Sequence, residues 1–297
     1  MSRLLDLFGP DLAALRGDDL IRAIEWSEGR TTLAEIVAPR PPVAPPASNL
    51  ELVAAFGADL VCLNMVNPAA ARVTGLDGEG FYGLSEMIGR PVGLNLEPDM
   101  PSVPPEYRAT EVNARATQDA GASFVFITAN PGRGTKMSHL AAATETFRSA
   151  APGVVCFAGK MHAAGEEETI DSATVRPLLD AGAQGLLVPV PGTVPGVTES
   201  GAEQMVRAAH DHDALAVGTI GTSQEGADPA TVRTLALAAK RIGVDVHHIG
   251  DSWISGVASP ENIYAYSVAI RGVRHTWTRM AVGAQASREK EGRDGLS

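Results

Sequence analysis

A short apolar strand that returns about every 30 residues constrains this chain more than any other feature. Such strands occupy 32–38, 60–66, 91–97, 123–128, 154–158, 185–189, 214–218 and 244–250. A period of that size is one strand plus one helix. Gly57, Gly121, Gly153, Gly182 and Gly243 punctuate the repeat just before strands, where a left-handed residue can end a helix. The strands are continuously apolar, as strands of a parallel sheet buried on both faces are.

The segments between strands carry helix-start signals. Ser48 and Glu51 form a capping box before Leu52. Asn67-Pro68, Asp228-Pro229 and Ser259-Pro260 place a cap residue before a first-turn proline. Ser138 and Thr198 precede two further apolar helical patterns. Eight strand–helix units predict an α/β chain folded as a single (β/α)8 TIM barrel. A doubly wound open sheet is the alternative, although no Gly-x-Gly-x-x-Gly follows the first strand. Residues 3–29 read as an N-terminal helical extension covering the barrel floor. The barrel with that extension spans 1–284, and 285–297 form a polar tail.

Composition narrows the function classes. The chain has 297 residues and a net charge of −11, and phosphate backbones need clustered positive charge, so nucleic acid is not an expected partner. No run of about 20 apolar residues is present, so no membrane contact is expected. Cys62 and Cys156 both sit in apolar runs. Two such thiols suit a reducing cytoplasm.

In a barrel of this kind the reactive groups lie at the carboxyl ends of the strands. The loops there are rich in Gly, Pro, Asn and Thr, whereas the opposite loops are Ala-Gly-Ala turns. Alternation along a strand puts Lys160 and His162 on one face, and likewise Asn95 and Glu97. An amine buried among apolar strands becomes a nucleophile. The expected catalytic set is therefore Lys160 as nucleophile, His162 as proton shuttle and Glu97 as base. Asn64, Asn95 and Asn130 would orient substrate oxygens, and Thr193 could present a hydroxyl. Loops 7 and 8, with Gly221, Thr222, Ser223, Glu225, Asp251 and Ser252, would hold a phosphate. Glu35 lies within a strand and faces either the interior or a helix. His247 and His248 must split between faces, and His248 is read as structural. The loop 75–83, with Phe81 and Tyr82, is read as a hinged lid or a subunit contact.

These residues support three readings. The first is an aldolase-type lyase acting on a small phosphorylated, sugar-like substrate. The second is an isomerase or lyase using Mg²⁺ or Mn²⁺ held by Glu97, His162 and Asp251 to stabilise an enolate. The third is a non-catalytic sugar-phosphate sensor. Barrels commonly assemble through their outer helices, so a homo-oligomer is expected. The basic, aromatic stretch 271–279 is a candidate contact.

Long stretches resemble a known family. They are 95–98 (Asn-Leu-Glu-Pro), 159–165, 191–197, 221–228, 247–251 and 269–275. The chain resembles an uncharacterised bacterial TIM-barrel family whose members often sit beside sugar phosphotransferase genes and are sometimes labelled "haloacid dehalogenase-like hydrolase". The resemblance implies the barrel fold and a sugar-phosphate-like substrate. It supplies no catalytic residues. Dehalogenase-type phosphatases need Asp-x-Asp after their first strand, and nothing matches that here.

Overall fold

A computed structural model describes residues 2–76, 80–162 and 168–294, with side chains up to residue 283. Eight parallel strands close into a barrel in sequence order. They are β1 (Thr31–Val37), β2 (Leu60–Asn64), β3 (Val92–Leu96), β4 (Phe124–Ile127), β5 (Val155–Ala158), β6 (Gly185–Pro189), β7 (Leu215–Ile220) and β8 (Val246–Ile249). β1 pairs with β2 through Leu33↔Leu60 and with β8 through Thr31↔Val246, which seals the ring.

Ten α-helices surround and floor the barrel among the described residues. Two lie in the extension, α1 (Gly9–Ala13) and α2 (Gly17–Glu25). The outer ring holds α3 (Asn49–Ala55), α4 (Gly80–Ile88), α5 (Glu111–Asp119), α6 (Met137–Ala150), α7 (Ser172–Asp180), α8 (Glu199–His210), α9 (Pro229–Ile242) and α10 (Pro260–Asp294). The capping signals hold at Ser48, Thr198 and Asp228. Asn67-Pro68 opens only a turn, closed by Ala70 N–H to Asn67 O at 3.1 Å. α6 begins at Met137, one residue ahead of Ser138, with Lys136 at its N-cap. Gly243 caps α9 at φ 89°, and Gly57, Gly121 and Gly182 share its positive φ, but Gly153 does not. α10 breaks at Gly272 (φ 76°, ψ 168°) and runs on through most of the expected polar tail. Residues 295–297 lie outside the described residues.

Two apolar layers result, and strand alternation decides which residue joins which. Leu33, Leu60, Cys62, Phe124, Phe126, Val155, Phe157, Leu215, Val217 and Val246 fill the barrel interior. Their neighbours, among them Ala34, Leu94, Cys156, Ala158 and Val188, pack against the helices. Phe124, Phe126 and Phe157 meet with ring centroids 5.7–5.9 Å apart. Gly93 and Gly185 make room for them, because a Cβ at either would collide with a phenyl ring. Both cysteines are buried free thiols. No helix is long and apolar enough to cross a membrane among the described residues.

At the floor Leu4, Leu12, Leu20 and Ile24 join the interior cluster. A charged clasp fixes them. Asp59, fully buried, receives Arg271 Nη1 at 2.5 Å and lies 2.7 Å from Arg279 Nε. Arg279 also donates to Leu4 O (2.9 Å) and Leu7 O (2.6 Å), tying α10 to the extension. Phe81 and Tyr82, the expected cover in the 75–83 loop, do not lie over the mouth. Phe81 is fully buried in the outer apolar layer. Tyr82 lies under the Arg16 guanidinium at the floor, 5.4 Å from it. Residues 77–79 lie outside the described residues.

Candidate functional site

At the carboxyl ends of the strands a cavity of about 260 Å³ opens. Its inner wall is built by Glu35, Asn64, Asn95, Thr128 and Asp251, and its outer edge by Asn130, His162, Gly221, Thr222, Ser223 and Ser252. Glu35 follows Thr31 and Leu33 on the inward face of β1. Its carboxylate is 3% exposed and carries the most ordered network in the cavity. Asn95 Nδ2 donates to Oε1 at 2.9 Å, and His248 Nε2 donates to Oε2 at 3.0 Å. His248 is fully buried on the inward face of β8, its ring 5.7 Å from Phe126. A carboxylate can only accept, so the hydrogen bond assigns the proton to Nε2.

Opposite parity sends His247 outward. It bonds to Gly29 O at 3.0 Å and stacks edge-on against Tyr266. Burial pulls its pKa down to about 3, so it stays neutral. His248, read as structural from the sequence, is the one of the pair that turns inward, where it holds Glu35 from behind the cavity wall.

A second carboxyl group completes the wall. Asp251 Oδ2 accepts from Asn64 Nδ2 at 2.9 Å. Burial, then the charges of Glu35 and Glu225, push its pKa up to about 8. Glu225 lies behind the wall, fully buried, and accepts from the Ser252 amide at 2.9 Å. Like charges close together favour one proton held between them.

The expected catalytic trio is not assembled. Lys160 follows Cys156 and Ala158 on the outward face of β5, while Met161 takes the inward place. The lysine is fully buried and pairs with Glu168 at 2.8 Å. Glu168 also accepts from the Met137 amide at 3.0 Å, at the start of α6. Glu97 has inward parity but lies beyond the end of β3. It accepts from the Asn130 amide at 3.0 Å and lies 3.8 Å from Arg133 Nε, without lining the cavity. His162 does line it; burial, then the charge of Lys160, holds its pKa below the usual histidine range. Among the described residues no three His, Cys, Asp or Glu side chains are grouped to hold a metal ion. Glu97, His162 and Asp251, the candidate Mg²⁺ or Mn²⁺ ligands of the alternative reading, are not grouped in that way.

The expected substrate-binding residues are mostly present. Asn64, Asn95, Asn130, Gly221, Thr222, Ser223, Asp251 and Ser252 line the cavity, whereas Thr193 and Glu225 do not. Thr193 Oγ1 is spent on Val190 O at 2.8 Å, and Thr193 O accepts from Thr222 Oγ1 at 2.9 Å. Among the described residues the lining contains no lysine or arginine. The Ser252 amide, a natural phosphate donor, is already committed to Glu225. Glu35 and His248 were legible in one respect: each is a polar interruption inside an otherwise apolar strand, tolerated only with a partner.

A family model described as "Domain of unknown function (DUF7916)" matches residues 5–286. No curated protein matches the sequence. Among solved structures, a fructose 1,6-bisphosphate aldolase from an archaeon is similar at TM-score 0.51 and 12% identity, covering 82% of this chain and 94% of its own. A Rubisco-like protein from Rhodopseudomonas palustris is similar at TM-score 0.51 and 15% identity, covering 90% of this chain and 70% of its own. At such identities the likeness is one of fold.

Proposed function

The chain belongs to the DUF7916 family, and from that premise we propose that it is an enzyme of the lyase type, working by proton transfer at the mouth of its barrel. The observation that carries this reading is the pair of unlike carboxyl groups. Glu35 is fixed as an acceptor by two donors, whereas Asp251 keeps a proton to about pH 8. A carboxyl that keeps its proton beside one held as an acceptor by two donors is the pattern of an acid–base pair.

Glu35 is the general base and Asp251 the general acid. In an aldol-type cleavage Glu35 takes the proton of a β-hydroxyl. The Cα–Cβ bond breaks, its electron pair moves onto the carbonyl as an enolate, and Asp251 delivers a proton to that oxygen. His248 and Asn95 are positioning residues that hold Glu35, and Asn64 holds Asp251. No step uses Lys160, which lies outside the wall. The substrate is small and sugar-like: the cavity falls below the roughly 300–1,000 Å³ of drug-sized sites, and its inner wall is polar. The two carboxyls, with no cation lining the cavity among the described residues, favour a substrate without phosphate. We place the protein in the cytoplasm, consistent with its buried free thiols, and as a homo-oligomer. Trp277, 59% exposed on α10, lies in the stretch singled out for contact.

The test is solvent exchange. Short ketoses and aldol products are incubated with the protein in heavy water, and deuterium entry at carbon is followed by NMR. Exchange or cleavage that disappears in Glu35→Gln supports the reading. Exchange that Glu35→Gln leaves intact would overturn it, and ligand binding without any exchange would favour a sensor.

A further inference from the structure

We propose that the molecule bound in this cavity carries a primary ammonium group, seated on Asn95 Oδ1 and Thr128 Oγ1 beside the Glu35 carboxylate. This deepens the reading of the mouth as the active site and rests on it.

The argument starts from how the wall spends its hydrogen bonds. Its buried amide and imidazole nitrogens each serve a carboxyl group inside the protein: Asn95 Nδ2 and His248 Nε2 serve Glu35, and Asn64 Nδ2 serves Asp251. The Ser252 amide serves Glu225. What remains without a partner in the buried wall is mostly acceptors. Asn95 Oδ1 and Thr128 Oγ1 have none, though their residues are 5% and 3% exposed and line the cavity. The orientation of Asn95 follows from its contact, because the amide edge facing a carboxylate must be the nitrogen, which leaves Oδ1 as the buried, unpartnered edge of a cavity-lining residue. One layer behind, His248 Nδ1 and Glu225 Oε2 are likewise unpartnered. Asn130, Ser223 and Ser252, farther out, can donate or accept.

An unpaired buried acceptor costs about 1–3 kcal/mol until something donates to it. A hydroxyl brings one donor and a phosphate none when fully ionised. An ammonium brings three donors and a positive charge. The charge is wanted as well. The Glu35 carboxyl faces the cavity beside the protonated Asp251, Glu225 lies behind them, and among the described residues no Lys or Arg lines the cavity. The field that, with burial, raises the proton affinity of Asp251 also attracts a cation.

Three probes with one carbon skeleton isolate the charge: 2-amino-1,3-propanediol, glycerol and glycerol 3-phosphate, each titrated at pH 7 into the full-length chain by ligand-observed NMR. The expected order is amine, then glycerol, then phosphate, with the amine at least about 10-fold tighter than glycerol, a charge-assisted bond being worth some 1.5 kcal/mol more. Thr128→Val, which keeps shape, and Glu35→Gln should each weaken the amine while leaving the far-ultraviolet spectrum unchanged. Glycerol or the phosphate binding as well as the amine would overturn the proposal, as would no amine binding at 50-fold excess over protein. If glycerol binding still depends on Glu35, the active-site reading survives that failure. If all three probes bind regardless of Glu35→Gln and Thr128→Val, the active-site reading falls with it.

Discussion

Asn64 Nδ2 lies 2.9 Å from Asp251 Oδ2, joining the ends of β2 and β8 across the intervening β1. That bond places an acid directly beside Glu35, the one carboxylate carried within β1.

The proton on Asp251 gives a stability signature. Its pKa is raised on folding from an ordinary 3.8 to about 8. The folded chain therefore holds a proton that the unfolded chain has lost. The resulting stabilisation is complete below pH 4 and disappears as pH rises toward 8. Asp251→Asn removes the titration. Between pH 5 and 8 the unfolding free energy of the wild type should fall relative to the variant, by up to about 1.4 kcal/mol per unit. Urea melts across that range measure it; parallel curves for the two proteins would show that Asp251 is ionised throughout.

Turnover should follow Glu35 rather than Lys160. Glu35→Gln is expected to reduce solvent exchange or cleavage by about 10²–10⁴-fold, the usual worth of a general base. His248→Gln should cost less and move the pH profile, since it only positions the base. Borohydride treatment with carbonyl compounds, read by mass spectrometry, should leave no adduct on Lys160.

Glu168→Gln removes the charged partner of a fully buried ammonium. The loss should reach about 3 kcal/mol, the lower end for breaking a buried pair, because Glu168 is itself partly exposed. Chemical denaturation gives the number, while the affinity of the mouth for its ligand should stay within about threefold, the pair lying outside the wall.

Gly93→Ala pushes a methyl group into Phe124. Overpacking of this kind costs about 1–3 kcal/mol. A thermal melt indistinguishable from wild type would mean that the phenyl trio has slack.

The barrel was legible because its signal is coarse: eight apolar runs, capped helices and glycine punctuation survive small errors of boundary. Which face of each strand looks inward was not. Strands apolar on both faces show no alternation, so β5 alone could not say whether Phe157 or Ala158 meets the centre. That single choice of phase sends Lys160 to the helices and Met161 to the mouth. The same ambiguity hid His248 behind its neighbour. A firmer signal lay in the interruptions: Glu35, Asn95 and His248 break apolar strands at inward positions, and each answers another. That the Ser252 amide is claimed by Glu225 was not legible, because it is a contact between two loops that spacing cannot reveal.

Asp59 gives the floor an order of assembly. It sits at the start of β2, yet the guanidinium groups that balance it come from Arg271 and Arg279, more than 200 positions later. Until α10 arrives, closing the ring would trap a lone negative charge in a dry interior. The early strands can gather, but the bottom of the vessel is sealed only when nearly the whole polypeptide is in hand, and Arg279 then draws the first turns of the molecule into place.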